Sequence, residues 1–363
     1  MARQEEFVPK WIAWEITRKC NLRCVHCRSS SDLTSAAGGF STAEAFKFLD
    51  ELAAYAKPVL VLSGGEPLLR PDVWEIAAHG TGLGLRMCLA TNGLLVDDAA
   101  CARMKQAGIR MVSLSLDGAT AATHDDFRQA PGAFDATVRA ARCLKANGIP
   151  FLVNSSFTKR NKEEIPRVYA LAKELGAKAW YMFMIVPTGR GADIMNELLP
   201  TEAYNEVLDW HYETEMQEPE MMMRPTCAPH YYRIVLQKNK ERAKEDRLER
   251  RSLSFSTGGG KGCIAAQTIC LIDAFGNVQA CSYMAASAGN VKQTPFKEIW
   301  EESALFKQLR DFDSYKGRCG ACEYLNVCGG CRARAEAIHG DRLAEEPFCD
   351  YVPLRLRKDA PAP

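Results

Sequence analysis

The sequence predicts an α/β protein, a partial (βα)6 barrel of parallel strands followed by a small Cys-rich C-terminal domain. Three observations lead there. Six short apolar runs alternate with amphipathic segments between residues 11 and 186, a pattern that implies right-handed crossovers and a parallel sheet covered on both faces. A Ser- and Gly-rich stretch, SFSTGGGKG at 254–262, then breaks the pattern, as a linker does. Beyond it lie eight of the fifteen cysteines, between 263 and 349.

The strands are WIAWEIT (11–17), VLVLSGG (59–65), RMCLATN (86–92), MVSLSLD (111–117), FLVNSSF (151–157) and AWYMFMIV (179–186), each short and apolar enough for a buried strand. Between them STAEAFKFLDELAAY, WEIAAHG, DDAACARMKQAG, FDATVRAARCLKANG and KEEIPRVYALAKELG have helical spacing, most with a Gly near the C-terminus, where the left-handed cap favours it. Six strands suit an open, partial barrel rather than a closed eight-stranded one. Residues 201–218 predict another helix, and YYRIVLQKNKERAKEDRLERR at 231–251 a charged one with a solvated face. In the Cys-rich part, ICLIDAFGNVQACSY predicts a hairpin turning at Phe275-Gly276-Asn277. The expected organisation is a barrel over 1–200, a helical bridge over 201–253 and a C-terminal domain over 254–363.

At 363 residues the chain buries a core without needing disulfides. Its 46 Lys plus Arg balance 45 Asp plus Glu, so no net field gathers nucleic acid or an anionic membrane. No apolar stretch approaches the roughly 20 residues of a membrane span, and the N-terminus has no secretory signal pattern. A cytoplasmic protein whose partner is a small molecule or another protein is expected. In that compartment clustered cysteines ligate metal or do redox chemistry more often than they form disulfides.

Cys20, Cys24 and Cys27 form C-x3-C-x2-C in the loop after the first strand, the end of a parallel sheet where active-site loops gather. Three thiolates hold an iron–sulfur cluster with one iron open; with His26 they would make a Cys3His zinc site, although the adjacency of His26 and Cys27 works against that. At the end of the second strand stands Gly64-Gly65-Glu66-Pro67. Paired glycines let a ligand approach the backbone, and a carboxylate there can pair with a cationic ligand group.

With both motifs in place, residues 10–190 resemble the radical S-adenosylmethionine (radical SAM) family. The resemblance implies that Cys20, Cys24 and Cys27 hold a [4Fe-4S] cluster whose fourth iron chelates SAM, and that the protein positions a 5′-deoxyadenosyl radical which takes a hydrogen atom from substrate. It further implies SAM contacts at Gly64, Gly65, Glu66 and Pro67, at Asn92, Ser115 and Asp117, and at Arg128 for the carboxylate. Strand-end capping is the alternative for each. His26 would stack near adenine or face solvent.

Cys263, Gly276 and Cys281, then Cys319-x2-Cys322-x5-Cys328-x2-Cys331, then Cys349 resemble the SPASM-type extension, an iron–sulfur C-terminal domain with two auxiliary [4Fe-4S] clusters. The resemblance assigns Cys263, Cys270, Cys281 and Cys331 to the nearer cluster, and Cys319, Cys322, Cys328 and Cys349 to the outer one. The family pattern usually has three residues where this chain has Gly329-Gly330. Structural zincs are the alternative. Cys88, Cys101 and Cys143 read as inert core thiols. Cys227, in RPTCAPH, is either loop packing or a substrate contact.

IVPTGRG (185–191), RPTCAPHYYR (224–233) and CGGCRARAEAIHGD (328–341) resemble the branch of radical SAM enzymes that trims iron-tetrapyrrole side chains, most closely the haem synthases of the sirohaem-dependent pathway. The implied reaction is oxidative decarboxylation of two propionates of iron-coproporphyrin III, with flavodoxin or ferredoxin as electron donor. Arg190, Arg224, Arg233, Arg332 and Arg334 are then candidate propionate clamps or else surface arginines. His230 is a candidate iron ligand or an ordinary hydrogen-bonding residue, with Tyr231 and Tyr232 as a wall. A SPASM-type peptide maturase is the runner-up, disfavoured because Cys20 leaves no room before it for a leader-binding domain; haem d1 or sirohaem processing, and an electron-transfer protein, are further alternatives.

Overall fold

The computed structural model describes residues 7–242 and 261–357. All six expected strands form: β1 Trp11–Thr17, β2 Val59–Gly64, β3 Arg86–Thr91, β4 Val112–Ser115, β5 Phe151–Phe157 and β6 Ala179–Met184. Two further parallel strands flank them, β7 (Met222–Thr226) beside β6 and β8 (Ile269–Ile272) beside β1. β9 (Asn277–Gln279) and β10 (Ser287–Asn290) continue antiparallel, giving the order β10-β9-β8-β1-β2-β3-β4-β5-β6-β7. The expected hairpin is present, with Leu271 opposite Gln279 and Ile272 opposite Val278. It adds to the edge of the barrel sheet, so one ten-stranded sheet runs through both halves of the chain.

The helices between the barrel strands are α1 Thr42–Tyr55, α2 Val73–Gly82, α3 Asp98–Gln106, α4 Ala121–Arg128, α5 Ala133–Ala146 and α6 Ile165–Leu175. α1 begins with a reciprocal capping box between Ser41 and Glu44, and α6 ends on left-handed Gly176. α4 has no apolar period in AATHDDFR to announce it; Thr120 caps it by accepting from the Thr123 amide. α7 (Thr201–Gln217) and α8 (Tyr231–Glu241) follow. Residues 243–251 of the expected charged helix and 254–260 of the expected linker lie outside the described residues. The C-terminal part carries α9 Phe296–Glu302, α10 Ala304–Arg310, α11 Gly317–Gly320, α12 Leu325–Cys328 and α13 Arg332–His339. No helix among the described residues is long and apolar enough to cross a membrane.

Side chains alternate across the strands and separate two interiors. Ile12, Leu60, Met87 and Val153 face the helices in the main core. Val59, Val61, Cys88, Met111 and Leu152 make a second cluster inside the curve of the sheet. That inner face floors the functional site.

Candidate functional site

A cavity of about 440 Å³ lies over the inner face of the sheet. Cys20, Cys24 and Cys27 all line it, and so do Cys227, Cys263, Cys281 and Cys331. Two cysteine groups from opposite ends of the sequence therefore share one enclosure.

The loop bearing the first group is held from several sides. Cys20 N–H donates to Asp32 O at 3.0 Å, and Val25 N–H to Phe127 O at 3.1 Å. Arg190, just beyond β6, donates from Nε to Cys24 O at 2.8 Å, from Nη2 to Ser31 O at 2.9 Å, and from its backbone N–H to Cys27 O at 2.9 Å. A Cβ on Gly189 would sit 2.2 Å from Arg28 O, so only glycine lets the two loops approach this closely. The thiols meet donors as well: Leu22 N–H points at Cys20 Sγ at 3.4 Å and Arg128 Nη1 at Cys24 Sγ at 3.6 Å. Burial pushes the Cys20 thiol up to about 12. Amide and guanidinium donors aimed at sulfur offset that penalty for a thiolate bound to metal, so the residues fit an iron–sulfur cluster.

Gly64 and Gly65 both line the cavity. A Cβ on Gly64 would fall 2.1 Å from Thr17 O, and one on Gly65 2.3 Å from Lys19 O, so the two glycines let β2 close against the end of β1. Glu66 and Pro67 do not line the cavity. Fully buried, Glu66 accepts from Leu68 N at 3.1 Å, Thr91 Oγ1 at 2.8 Å and Asn92 N at 2.9 Å. The expected ligand carboxylate is thus a brace that sets the end of β3, including Asn92, which does line the cavity.

Ser115 and Arg128 also reach the cavity, whereas Asp117 does not. Asp117 is buried behind Arg128, with its Oδ2 at 2.5 Å from Arg128 Nη2 and its Oδ1 accepting from Ser156 N at 2.7 Å. It orients the guanidinium rather than meeting a ribose. His26 lies against Phe127 with ring centroids 4.6 Å apart and the rings tilted by 38°, and burial lowers its pKa to about 4, so the ring is neutral at pH 7.

The outer cysteine set comes together as expected: Cys319, Cys322, Cys328 and Cys349 line one small cavity. Glu346 N–H points at Cys319 Sγ at 3.3 Å and Gly330 N–H at Cys328 Sγ at 3.4 Å, again donors suited to cluster sulfur. The inner set differs from expectation. Cys270 is buried on β8 away from the other three, and Cys227 takes its place beside them. Among the described residues no three His, Cys, Asp or Glu side chains close on one point as a single ion needs; a cluster several ångströms wide does not ask them to.

Of the candidate clamps, only Arg190 and Arg224 line the large cavity. Arg233 faces the outer cysteine set and lies over the Tyr351 ring. Buried Arg332 donates to Gly330 O, Arg342 O and Ala344 O, bracing the chain around Cys331. Arg334 pairs with buried Glu346 at 3.0 Å and donates to Cys227 O at 2.8 Å. His230 is fully buried against Tyr204, outside the cavity, so it does not face a substrate iron there. Tyr232 lines the cavity, while Tyr231 points away to Glu215.

Among the cavity residues that the motifs did not mark are Arg28, Tyr181 and Tyr283. Arg28 pairs with buried Glu15 at 2.8 Å, Tyr181 hydrogen-bonds with Arg224, and Tyr283 stands next to Cys281. Arg28 and Tyr283 each adjoin a cluster motif, which was the available signal; Tyr181 is hidden in an apolar strand. Cys88, read as inert, floors the cavity, and Cys101 and Cys143 bring their sulfurs to 3.5 Å on neighbouring helices.

Comparison with known proteins agrees with this arrangement. Residues 14–188 match the radical SAM superfamily and residues 263–331 the SPASM iron–sulfur cluster-binding domain. A Methanosarcina barkeri protein named AdoMet-dependent heme synthase is 47% identical over 345 residues, covering 95% of this chain and 97% of its own length. A Nitratidesulfovibrio vulgaris protein of the same name is 41% identical, covering 96% and 94%. The crystal structure of Streptococcus suis SuiB bound to S-adenosylmethionine shares the fold with a TM-score of 0.72, at 14% identity over 95% of this chain and 78% of that one. The cofactors are accordingly a [4Fe-4S] cluster, SAM and auxiliary iron–sulfur clusters, and the chain belongs to the radical SAM enzymes that carry a SPASM domain.

Proposed function

We propose that this enzyme oxidatively decarboxylates two propionate side chains of iron-coproporphyrin III to vinyls, yielding protohaem. The observation that carries the reading is the shared cavity, with the SAM-cluster cysteines and an auxiliary cysteine group on its walls. Two relatives named heme synthase along nearly their whole length support the substrate class.

The chemistry asks for both groups. Converting each propionate to a vinyl removes one hydrogen atom, one molecule of CO2 and one electron. When bound, the cluster and SAM supply a radical that accepts the hydrogen atom. The electron requires a second acceptor close to the same side chain, and the auxiliary cysteines on the cavity wall would hold a cluster able to serve as one. Trp11, Val59, Val61, Met111 and Leu152 offer the flat apolar surface a macrocycle needs. Arg224, held beside Tyr181 on the inner face of β7, is the cation we assign to a propionate, with Arg28 as a second. Arg190 and Arg128 serve the cluster loop. We assign its reduction to a cytoplasmic flavodoxin or ferredoxin.

Anaerobic incubation of the full chain with reductant, SAM and iron-coproporphyrin III tests this. Mass spectrometry should find a product lighter by two CO2 and four hydrogens, with two 5′-deoxyadenosine formed per product. Unchanged porphyrin alongside sustained SAM cleavage would overturn the substrate and favour a peptide maturase or haem d1 or sirohaem processing.

A further inference from the structure

We propose that Cys227 is the fourth protein ligand of the inner auxiliary cluster, completing a set with Cys263, Cys281 and Cys331, and that Cys270 ligates no iron. Strand parity excludes Cys270. In the parallel register across β8, β1 and β2, Ile269 is level with Trp11 and Val59, and Leu271 with Ala13 and Val61. Ile269, Trp11, Ala13, Val59 and Val61 line the cavity. Cys270 lies level with Ile12 and Leu60, which belong to the helix-facing core. Successive side chains of a strand point to opposite faces, so the sheet itself stands between this thiol and the cavity. Only a one-residue slip of β8 would bring it through, and that would turn Ile269 and Leu271 out of their places.

Cys227 is built into the opposite situation. β7 ends at Thr226, and the next residue takes φ +58°, in the left-handed region that side chains with a Cβ rarely adopt. Two donors hold it there: Arg334 Nη2 and Tyr204 Oη both donate to Cys227 O at 2.8 Å. The turn sets Cys227 on the cavity wall that Cys263, Cys281 and Cys331 also line, within electrostatic reach of Cys331 and Cys281. The other members are fixed independently. Cys331 N–H donates to buried Glu346 at 2.7 Å, and Cys263 N–H to Cys328 O at 2.9 Å. A cysteine occupying a conformation that glycine adopts at no steric cost is intelligible if its sulfur has a task there. Four thiolates then close the cluster, one of them from the mouth of the barrel.

The test needs no substrate, so it stands apart from the porphyrin assay. In full-length protein reconstituted anaerobically on a Cys20→Ala/Cys24→Ala/Cys27→Ala background, iron and EPR report the auxiliary clusters alone. Adding Cys227→Ala should remove about four irons per chain, or leave a three-iron cluster. Cys227→Ser should retain the iron but shift the EPR signal and the midpoint potential of that cluster, because oxygen replaces sulfur at one corner. Cys270→Ala should change neither. Should Cys227→Ala fold poorly, shown by loss of the outer-cluster signal, the Cys227→Ser spectrum decides. Iron content and EPR unaltered by both Cys227 substitutions, or a cluster lost in Cys270→Ala and kept in Cys227→Ala, would overturn the assignment.

Discussion

Glu66 accepts three hydrogen bonds, which favour its charged form, yet burial outweighs them and pushes its pKa from 4.5 up to about 7. A carboxyl raised in the folded state contributes stability that is present below about pH 4.5 and is lost as pH rises through about 7. Unfolding free energy of the holoprotein should therefore carry a decline on the order of 3 kcal/mol between about pH 5 and about pH 8 that Glu66→Gln lacks. Anaerobic denaturant titrations of both proteins across that range check it; parallel curves would remove Glu66 as the source. Glutamine should also cost about 1–3 kcal/mol at low pH, because its amide group faces a donor. The sequence marked Gly64-Gly65-Glu66-Pro67 and Asp117 as cofactor contacts, and here it could not tell contact from support. Glycines that line the cavity and an acid that braces the next strand sit side by side in one motif, and only where each residue faces separates them.

Strands show the same boundary between legible and hidden. β1 to β6 were readable because a strand covered on both faces is nearly continuous in apolar residues. β7, MMRPT, mixes in Arg and Pro, which an edge strand tolerates and a central one does not. α13 was hidden for another reason: RARAEAIH looks like a solvated or substrate-facing helix, but Arg332 and Arg334 are both buried. Through the Arg334–Glu346 pair and the bonds to Ile185 O and Cys227 O, α13 ties the C-terminal part to the ends of β6 and β7. Arg334→Leu strands a buried carboxylate and should destabilise by about 3–5 kcal/mol. The Arg334→Leu/Glu346→Leu double variant should recover only part of that, short of the bonds Arg334 gives the two carbonyls and those Glu346 accepts from the Cys331 and Phe348 amides. Denaturation midpoints decide; a single variant within about 0.5 kcal/mol of the parent would return Arg334 to the surface or to the substrate.

At the scale of the whole molecule, the described residues after 260 contain only short strands and helices of at most eight residues, so iron must supply much of the ordering there. Removing iron anaerobically with a chelator should expose 261–357 to protease about tenfold faster, while the barrel from β1 to β6, with its own core, resists. Mapping the first cleavage sites by mass spectrometry checks this, and equal protection before and after chelation would refute it. By itself the sequence determined the fold class and which cysteines gather in the loop after β1 and in the outer set, whose spacing is largely local: Cys20 to Cys27 lie on one loop, and Cys319, Cys322 and Cys328 within ten residues. Only the tertiary structure decided that the auxiliary part extends the barrel sheet, that Arg224 and not Arg332 or Arg334 reaches the cavity, and that Cys227 and not Cys270 joins the inner thiols. The physical reason is common to all three. Spacing constrains residues on one short segment, whereas the face a side chain presents to a distant segment follows from strand parity and from packing between elements far apart in the chain.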